Sequence, residues 1–222
     1  TGSLIYGISV TAIVYGSSML PSKEAFYIII SGIAGLVLFI KHQMSVKNPV
    51  FEVRIFRQNR IFTFSSMAAF INYGATFAIT FLLSLYLQYI KDMTPHMAGL
   101  IMVTQPVMQA IFSPVFGKLS DRFEPGLLAS AGMTLTVAGL SMLVFIDFTT
   151  SNIFIIAILL ILGIGFGLFS SPNMNAIMGS VDREYYGIAS GTVATMRVLG
   201  QLVSMAVATV VFAIFIGTAT IK

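Results

Sequence analysis

Cysteine is absent from the 222 residues, which removes disulfide frameworks, thiol nucleophiles and thiolate metal sites together. Histidine is nearly absent. His42 and His96 both fall in connections rather than on a shared apolar segment, so they form no imidazole pair. Charge is scarce as well: Asp, Glu, Lys and Arg make up 9% of the chain, against about a quarter in a soluble domain. With a mean hydropathy of +0.94, such a chain cannot coat itself for water. In place of charge it carries repeated apolar runs, each long enough for a hydrocarbon layer ~30 Å thick. The fold class is therefore all-α and polytopic, in a lipid bilayer. An outer-membrane barrel needs segments of ~10 residues that alternate in and out, and no such alternation occurs.

Seven spans are expected, at 3–20, 25–41, 62–90, 96–117, 126–147, 152–171 and 187–217. The basic residues orient them. Lys41, Lys47, Arg54, Arg57 and Arg60 fall between the second and third spans, Lys118 and Arg122 between the fourth and fifth, and Arg183 between the sixth and seventh. Alternating spans put these on one side and leave Lys23, Lys91 and Lys222 for the other. The positive side is cytoplasmic by the charge rule, so 41–60 and 118–124 are expected there, in a multi-pass protein of the plasma membrane. The net charge of +4 is thus a topology signal, and no nucleic-acid partner is expected. Thr94-Pro95 reads as a helix cap and first helical residue, and Pro172 is expected to end or kink the sixth span. The stretch SVKNPVFEVRIFRQNR is too charged to span; it is expected along the interface, with Val50, Phe51, Ile55 and Phe56 toward lipid. The chain opens Thr-Gly-Ser without a basic leader, which argues against a signal peptide and makes a fragment the expectation.

Polar residues inside the spans are arranged, not scattered. Asn72, Thr76, Thr80, Ser84 and Gln88 recur every four residues on the third span, as do Gln105, Gln109 and Ser113 on the fourth. The seventh gives Ser190, Ala194, Arg197, Gln201, Ser204 and Ala208. Such groups need partners in hydrocarbon. Two readings stand for them: hydrogen bonding across helix contacts, or the lining of a watery solute path, for which Asn72, Gln105, Gln109, Gln201 and Arg197 are the candidates. Arg197 lies deep in an apolar run, where a charge costs at least ~2.5–3.5 kcal/mol on insertion scales. It either snorkels to headgroups, binds carbonyls, or faces a path. All eight acids sit in or beside connections, Asp147 at the very end of the fifth span, so this segment supplies no membrane-embedded titrating carboxylate for proton coupling. GIGFG (Gly163, Gly165, Gly167) reads as a small-residue packing surface, and Gly132, Thr136 and Gly139 read similarly.

Several phrases then look familiar. GKLSDR at 117–122, after PVMQAIFSPVF, resembles the cytoplasmic loop signature of the major facilitator superfamily. NPVFEVRIFRQNRIF, YLQYIKDMTPHMAGL and GIGFGLFSSPNMNAIMGSVDREYYGIASGTVATMRVLGQ resemble the second part of its drug:proton antiporter family with fourteen spans. The resemblance implies two linker helices in 1–45, a cytoplasmic interfacial segment at 46–60, and in 61–222 an incomplete C-terminal half of five helices. It implies that Gly117, Asp121 and Arg122 form the loop motif, although Phe123-Glu124-Pro125 departs from the usual continuation. It raises Arg197, Gly200 and Gln201 as structural or path-lining positions. The missing N-terminal half becomes a partner, and so does the family's coupling acid, which lies outside these residues.

The function expected from this is proton-coupled efflux of drugs or other amphipathic organic compounds by alternating access, with no cofactor and no catalysis. The compact charge groups Asp121/Arg122 and Asp182/Arg183/Glu184 read as loop salt bridges rather than an active site. The alternatives are a uniporter or importer of a small metabolite on the same scaffold, and a non-transporting membrane assembly subunit.

Overall fold

The fold, a computed structural model, describes residues 2–19, 22–45 and 53–215. Its helices are α1 (Gly2–Ser18), α2 (Lys23–Ser45), α3 (Val53–Gln58), α4 (Arg60–Leu85), α5 (Pro95–Met102), α6 (Thr104–Leu119), α7 (Pro125–Leu143), α8 (Asn152–Gly179) and α9 (Tyr186–Phe215). A π-helical turn, Tyr86–Ile90, prolongs α4. Among the described residues, six helical stretches are long and apolar enough to cross a membrane, and the apolar Leu4–Gly16 within α1 is shorter. The seven expected spans are thus all helical among the described residues.

Local chemistry sets the boundaries. Asn59 Oδ1 accepts the Phe62 N–H at 2.9 Å and opens α4. Thr94 caps α5 by accepting from the Met97 N–H, with Pro95 as its first residue, and Ser151 caps α8 by accepting from Ile153 N–H. The fourth span is interrupted at Val103, between α5 and α6. Pro106 explains this, because it has no N–H for the Met102 carbonyl, where α5 ends. Pro172 behaves otherwise: α8 runs through it to Gly179 instead of ending at 171. Asp92, between the π turn and α5, takes φ 51°, a left-handed conformation that Asp tolerates better than most residues.

The chain forms two compact units, residues 1–78 with 183–222, and residues 79–182. In the first, α1 and α2 make an antiparallel hairpin closed by small residues. A Cβ at Gly16 would lie 2.7 Å from Ile29, one at Gly32 would lie 2.8 Å from the Ser9 carbonyl, and Gly35 meets the Ser9 side chain. The middle of α4 meets α9, running in the same direction, at Gly74 and Gly200, where a Cβ on Gly200 would sit 2.5 Å from the Phe70 carbonyl. One turn on, Ser204 Oγ accepts from the Ala78 N–H at 2.9 Å. Val50 and Phe51 lie outside the described residues, Ile55 and Phe56 are half-buried, and the Phe56 ring packs edge-on against buried Phe62 with ring centres 5.0 Å apart.

In the second unit α8 is the spine. Gly163, Gly167, Ser171 and Asn175, four residues apart, form a ridge against α6, whose Gln105, Gln109–Ser113, Gly117 and Ser120 they meet in turn. The two helices therefore run parallel. The adjoining face of α8 meets Gly132, Thr136 and Gly139 of antiparallel α7, all three buried. A Cβ on Gly132 would lie 2.4 Å from the Phe169 N, and one on Gly163 would lie 2.5 Å from the Gln105 carbonyl oxygen. Both obstacles are backbone, which cannot swing aside. At one end of the unit, Leu83, Leu87, Ala98, Ile155 and Leu159 form a buried apolar cluster.

Overpacking of this kind costs about 1–3 kcal/mol. Gly132→Ala and Gly163→Ala are each expected to lower the thermal midpoint in detergent. Gly7→Ala, whose Cβ would meet nothing within 4 Å, is expected to leave it unchanged or raise it.

A candidate transport path

Within the second unit, the end of α4, α5, α6 and α8 enclose a cavity of about 370 Å3. Gln105 and Gln109, one turn apart on α6, are half-buried in its wall, and exposed Thr80 joins them from α4. Ile79, Leu83, Met102 and Leu159 supply apolar wall between these polar groups. The two amides sit where α6 must come close to α8, since the Gln105 backbone meets Gly163 and the Gln109 backbone meets Gly167. Tight backbone contact on one side of α6 fixes the direction of side chains on the other. An apolar recess with a few placed polar groups, on this scale, has the make-up of a small-molecule site.

The remaining path candidates belong to the first unit and are dispersed. Asn72 is 3% exposed and its Oδ1 has no hydrogen-bond partner. Thr76 Oγ1 donates to the Asn72 carbonyl at 2.7 Å. Along α4 the four-residue stripe thus passes from buried Asn72 and Thr76 to exposed Thr80. Each step of four overshoots a 3.6-residue turn by about 40°, enough to carry the stripe off the contact face. Arg197 is exposed on α9, eleven residues in, with no ion pair or hydrogen bond among the described residues. Gln201 is half-buried, and the stripe then enters the α4 contact at buried Ser204 and Ala208. One sequence pattern therefore serves an open surface at one end and helix packing at the other.

The loop motif is held by residues that the spacing arguments missed. Asn175 Nδ2 donates to Ser120 Oγ and, at 3.3 Å, to the Gly117 carbonyl. Ser120 Oγ donates to that same carbonyl at 2.7 Å. A Cβ on Gly117 would approach Ser171 Oγ to 2.9 Å. Asp121 and Arg122 are exposed, and neither side chain has a hydrogen bond or ion pair among the described residues, so the loop salt bridge read from their adjacency does not form. The signal for Asn175 was available: it continues the Gly163, Gly167, Ser171 register by one more step of four.

The far end of this unit is tied by a second polar knot. Lys91 Nζ donates to the Phe148 carbonyl at 3.0 Å and to the Thr150 carbonyl, and Tyr86 Oη–H donates to the Asp147 carbonyl at 2.6 Å. The Asp147 carboxylate accepts from the Thr149 hydroxyl and N–H, each at 2.8 Å, and from the Thr150 hydroxyl at 3.0 Å. The Thr149 hydroxyl, followed by its N–H and the Thr150 hydroxyl, holds the carboxyl below its ordinary titration range. No group of three or more potential metal ligands exists among the described residues.

Residues 2–205 match the sequence profile of the Major Facilitator Superfamily. The chain belongs to that superfamily. It is a multi-pass membrane protein of a transporter family rather than an enzyme. Its relatives within the superfamily include the uncharacterised transporter YebQ of Escherichia coli, 32% identical over 203 residues that cover 90% of this chain and 43% of YebQ. The riboflavin transporter RibZ of Clostridioides difficile is 30% identical, over 83% of this chain and 40% of RibZ. The multidrug resistance protein Stp of Mycobacterium tuberculosis is 26% identical, over 93% of this chain and 39% of Stp. The chain therefore spans about two fifths of the length of the relatives it matches.

Two outcomes test the knots. Asn175→Ala removes the ties to Ser120 and Gly117, and hydrogen–deuterium exchange of 117–124 is expected to quicken while α7 stays protected. Thr149→Val is expected to lower stability at neutral pH. A depressed carboxyl stabilises above its unfolded pKa of about 3.9 and loses that contribution as pH falls through the folded value. The difference between wild type and variant should therefore shrink below about pH 4, read from unfolding midpoints across an acid series.

Proposed function

We propose that these residues form part of a secondary transporter that exports amphipathic organic compounds by alternating access, driven by protons entering the cell. The observation that carries the reading is the cavity in the second unit. It pairs greasy walls with the neutral amides of Gln105 and Gln109, which orient a mostly apolar cargo without demanding one charge. The family relation of multidrug resistance proteins such as Stp supports it. In this reading, residues 1–45 are two linker helices, 61–222 are five helices of the C-terminal half, and 41–60 and 118–124 face the cytoplasm. The N-terminal half supplies the rest of the path and the carboxylate that carries the proton.

Arg197 and Gln201 face the path in this account, with Asn72 behind them. Arg197 is the informative one, because a charge roughly 16 Å along an apolar helix with no partner in its own segment requires water or a counter-charge from elsewhere. Gly163, Gly167 and Gly200 act by allowing close contact, not by touching cargo. The second reading is transport of a polar metabolite, and the riboflavin transporter relative favours it. The same amides would then read hydrogen-bonding edges of the cargo.

The test uses the full-length transporter in vesicles. Dye efflux that collapses when the proton gradient is dissipated supports the export reading, and equilibration indifferent to the gradient contradicts it. Gln109→Leu is expected to cut efflux several-fold at unchanged folded yield. Arg197→Ala is expected to impair transport in the same way; a collapse of yield and thermal stability would instead assign Arg197 to structure.

A further inference from the structure

Pro106 leaves one backbone carbonyl in the cavity wall without its helical donor. In an unbroken helix the Met102 carbonyl receives the N–H four residues on, and proline has none to give. The groups beside it are accounted for. The Val103 N–H donates to the Gly99 carbonyl at 3.0 Å, and the Val103 carbonyl accepts from the Val107 N–H at 3.1 Å. No side chain donates to the Met102 carbonyl among the described residues. Pro114 and Pro172 lie inside helices that run on through them, whereas ahead of Pro106 the helix is interrupted at Val103.

The interruption falls on the side of the helix that faces the cavity. Gly99, Met102, Pro106 and Gln109 all line it, and their spacings of three and four place them on one helical face. Met102 is half-buried and Pro106 exposed. A helical carbonyl points along the axis toward the residue four on, so the Met102 carbonyl lies on the strip between these two. Non-helical backbone at membrane depth is tolerated where it lines a cavity, and Met102 stands about 10 Å along the helix from Pro95.

The polar groups of the cavity differ in what they ask of a cargo. The Thr80 hydroxyl and the amides of Gln105 and Gln109 each donate and accept, so they can adapt to either kind of partner. The Met102 carbonyl only accepts. A cargo that displaces water from it must bring a hydrogen or leave the carbonyl unpaired, and sites discriminate against ligands that do the latter. We infer that the Met102 carbonyl selects cargo carrying an N–H donor, so that amphipathic compounds with hydrogen on nitrogen are favoured over isosteres without it. A neutral amide N–H suffices, because none of the lining side chains is charged. The inference rests on the cavity being the cargo site and names what that site reads.

Binding to the purified full-length transporter tests this with two probes: an amphipathic aryl amide, and the ester in which oxygen replaces its N–H at nearly equal size. The amide is expected to bind roughly tenfold more tightly. Pro106→Ala returns an N–H to the helix, where it occupies the Met102 carbonyl, and is expected to bring the amide-to-ester ratio close to unity. A merely structural effect at Pro106 changes both affinities together and leaves their ratio alone. Pro106→Ser restores the same N–H and serves as the second variant if Pro106→Ala folds poorly. Gln109→Leu separates the two readings. If it weakens both probes while the wild-type ratio is already close to unity, or survives restoration of the N–H, selection by Met102 is overturned and the cargo site stands. If it leaves both affinities unchanged, the cavity is not the cargo site and the selection falls with it.

Discussion

Hydrocarbon gives an apolar side chain no reason to leave the surface, so helices in a bilayer stay together only where they fit closely or share hydrogen bonds. That constraint explains why α8 looks as it does. Gly163, Gly167, Ser171 and Asn175 on one face, and Gly165 on the next, let backbone meet backbone on α6 and α7. Large residues between them, such as Phe166 and Phe169, are buried in the remaining space. The consequence is a rigid three-helix body whose outward surface is rich in exposed Leu, Ile, Val and Phe, as a lipid-facing surface must be.

Rigidity on one side of α6 makes specificity on the other. Because the backbone at Gln105 and Gln109 is pinned against glycine, their side chains sit in the wall of an apolar cavity without further support. The same helix ends at Gly117 and Ser120, where Asn175 of α8 holds both. The cavity wall and the loop motif thus belong to one helix fastened to one spine. A shift of the spine would move both together, as the proposed rocking mechanism requires.

How far the sequence carried this depends on the kind of signal. Composition and apolar run length indicate lipid and seven helices, because a missing surface charge leaves few alternatives. The small-residue register of GIGFG and of Gly132, Thr136 and Gly139 was legible because close contact has a fixed period. Long-range partners were not. Nothing in the spacing of Asn175 and Ser120 states that α6 and α8 run parallel, and the Tyr6–Thr195 bond joins residues separated by most of the chain. The Phe56–Phe62 contact was not legible for a related reason: an aromatic in a charged stretch suits a membrane interface as well as it suits a neighbouring ring. Of the two outcomes expected at Pro172, an end to the helix does not occur, since α8 continues to Gly179.

Both the cavity and the loop motif depend on the approach of α6 to α8, and the absence of cysteine from these residues makes that approach measurable. Gly117→Cys combined with Ser171→Cys places two thiols where a Cβ would lie 2.9 Å from the Ser171 oxygen. Mild oxidation of membranes is expected to join this pair rapidly and almost completely. Gly117→Cys with Asn173→Cys, turned by more than half a helical circle, is expected to stay reduced. Equal crosslinking of the two pairs, or none in either, contradicts the parallel glycine-lined contact on which the cavity and the loop both depend.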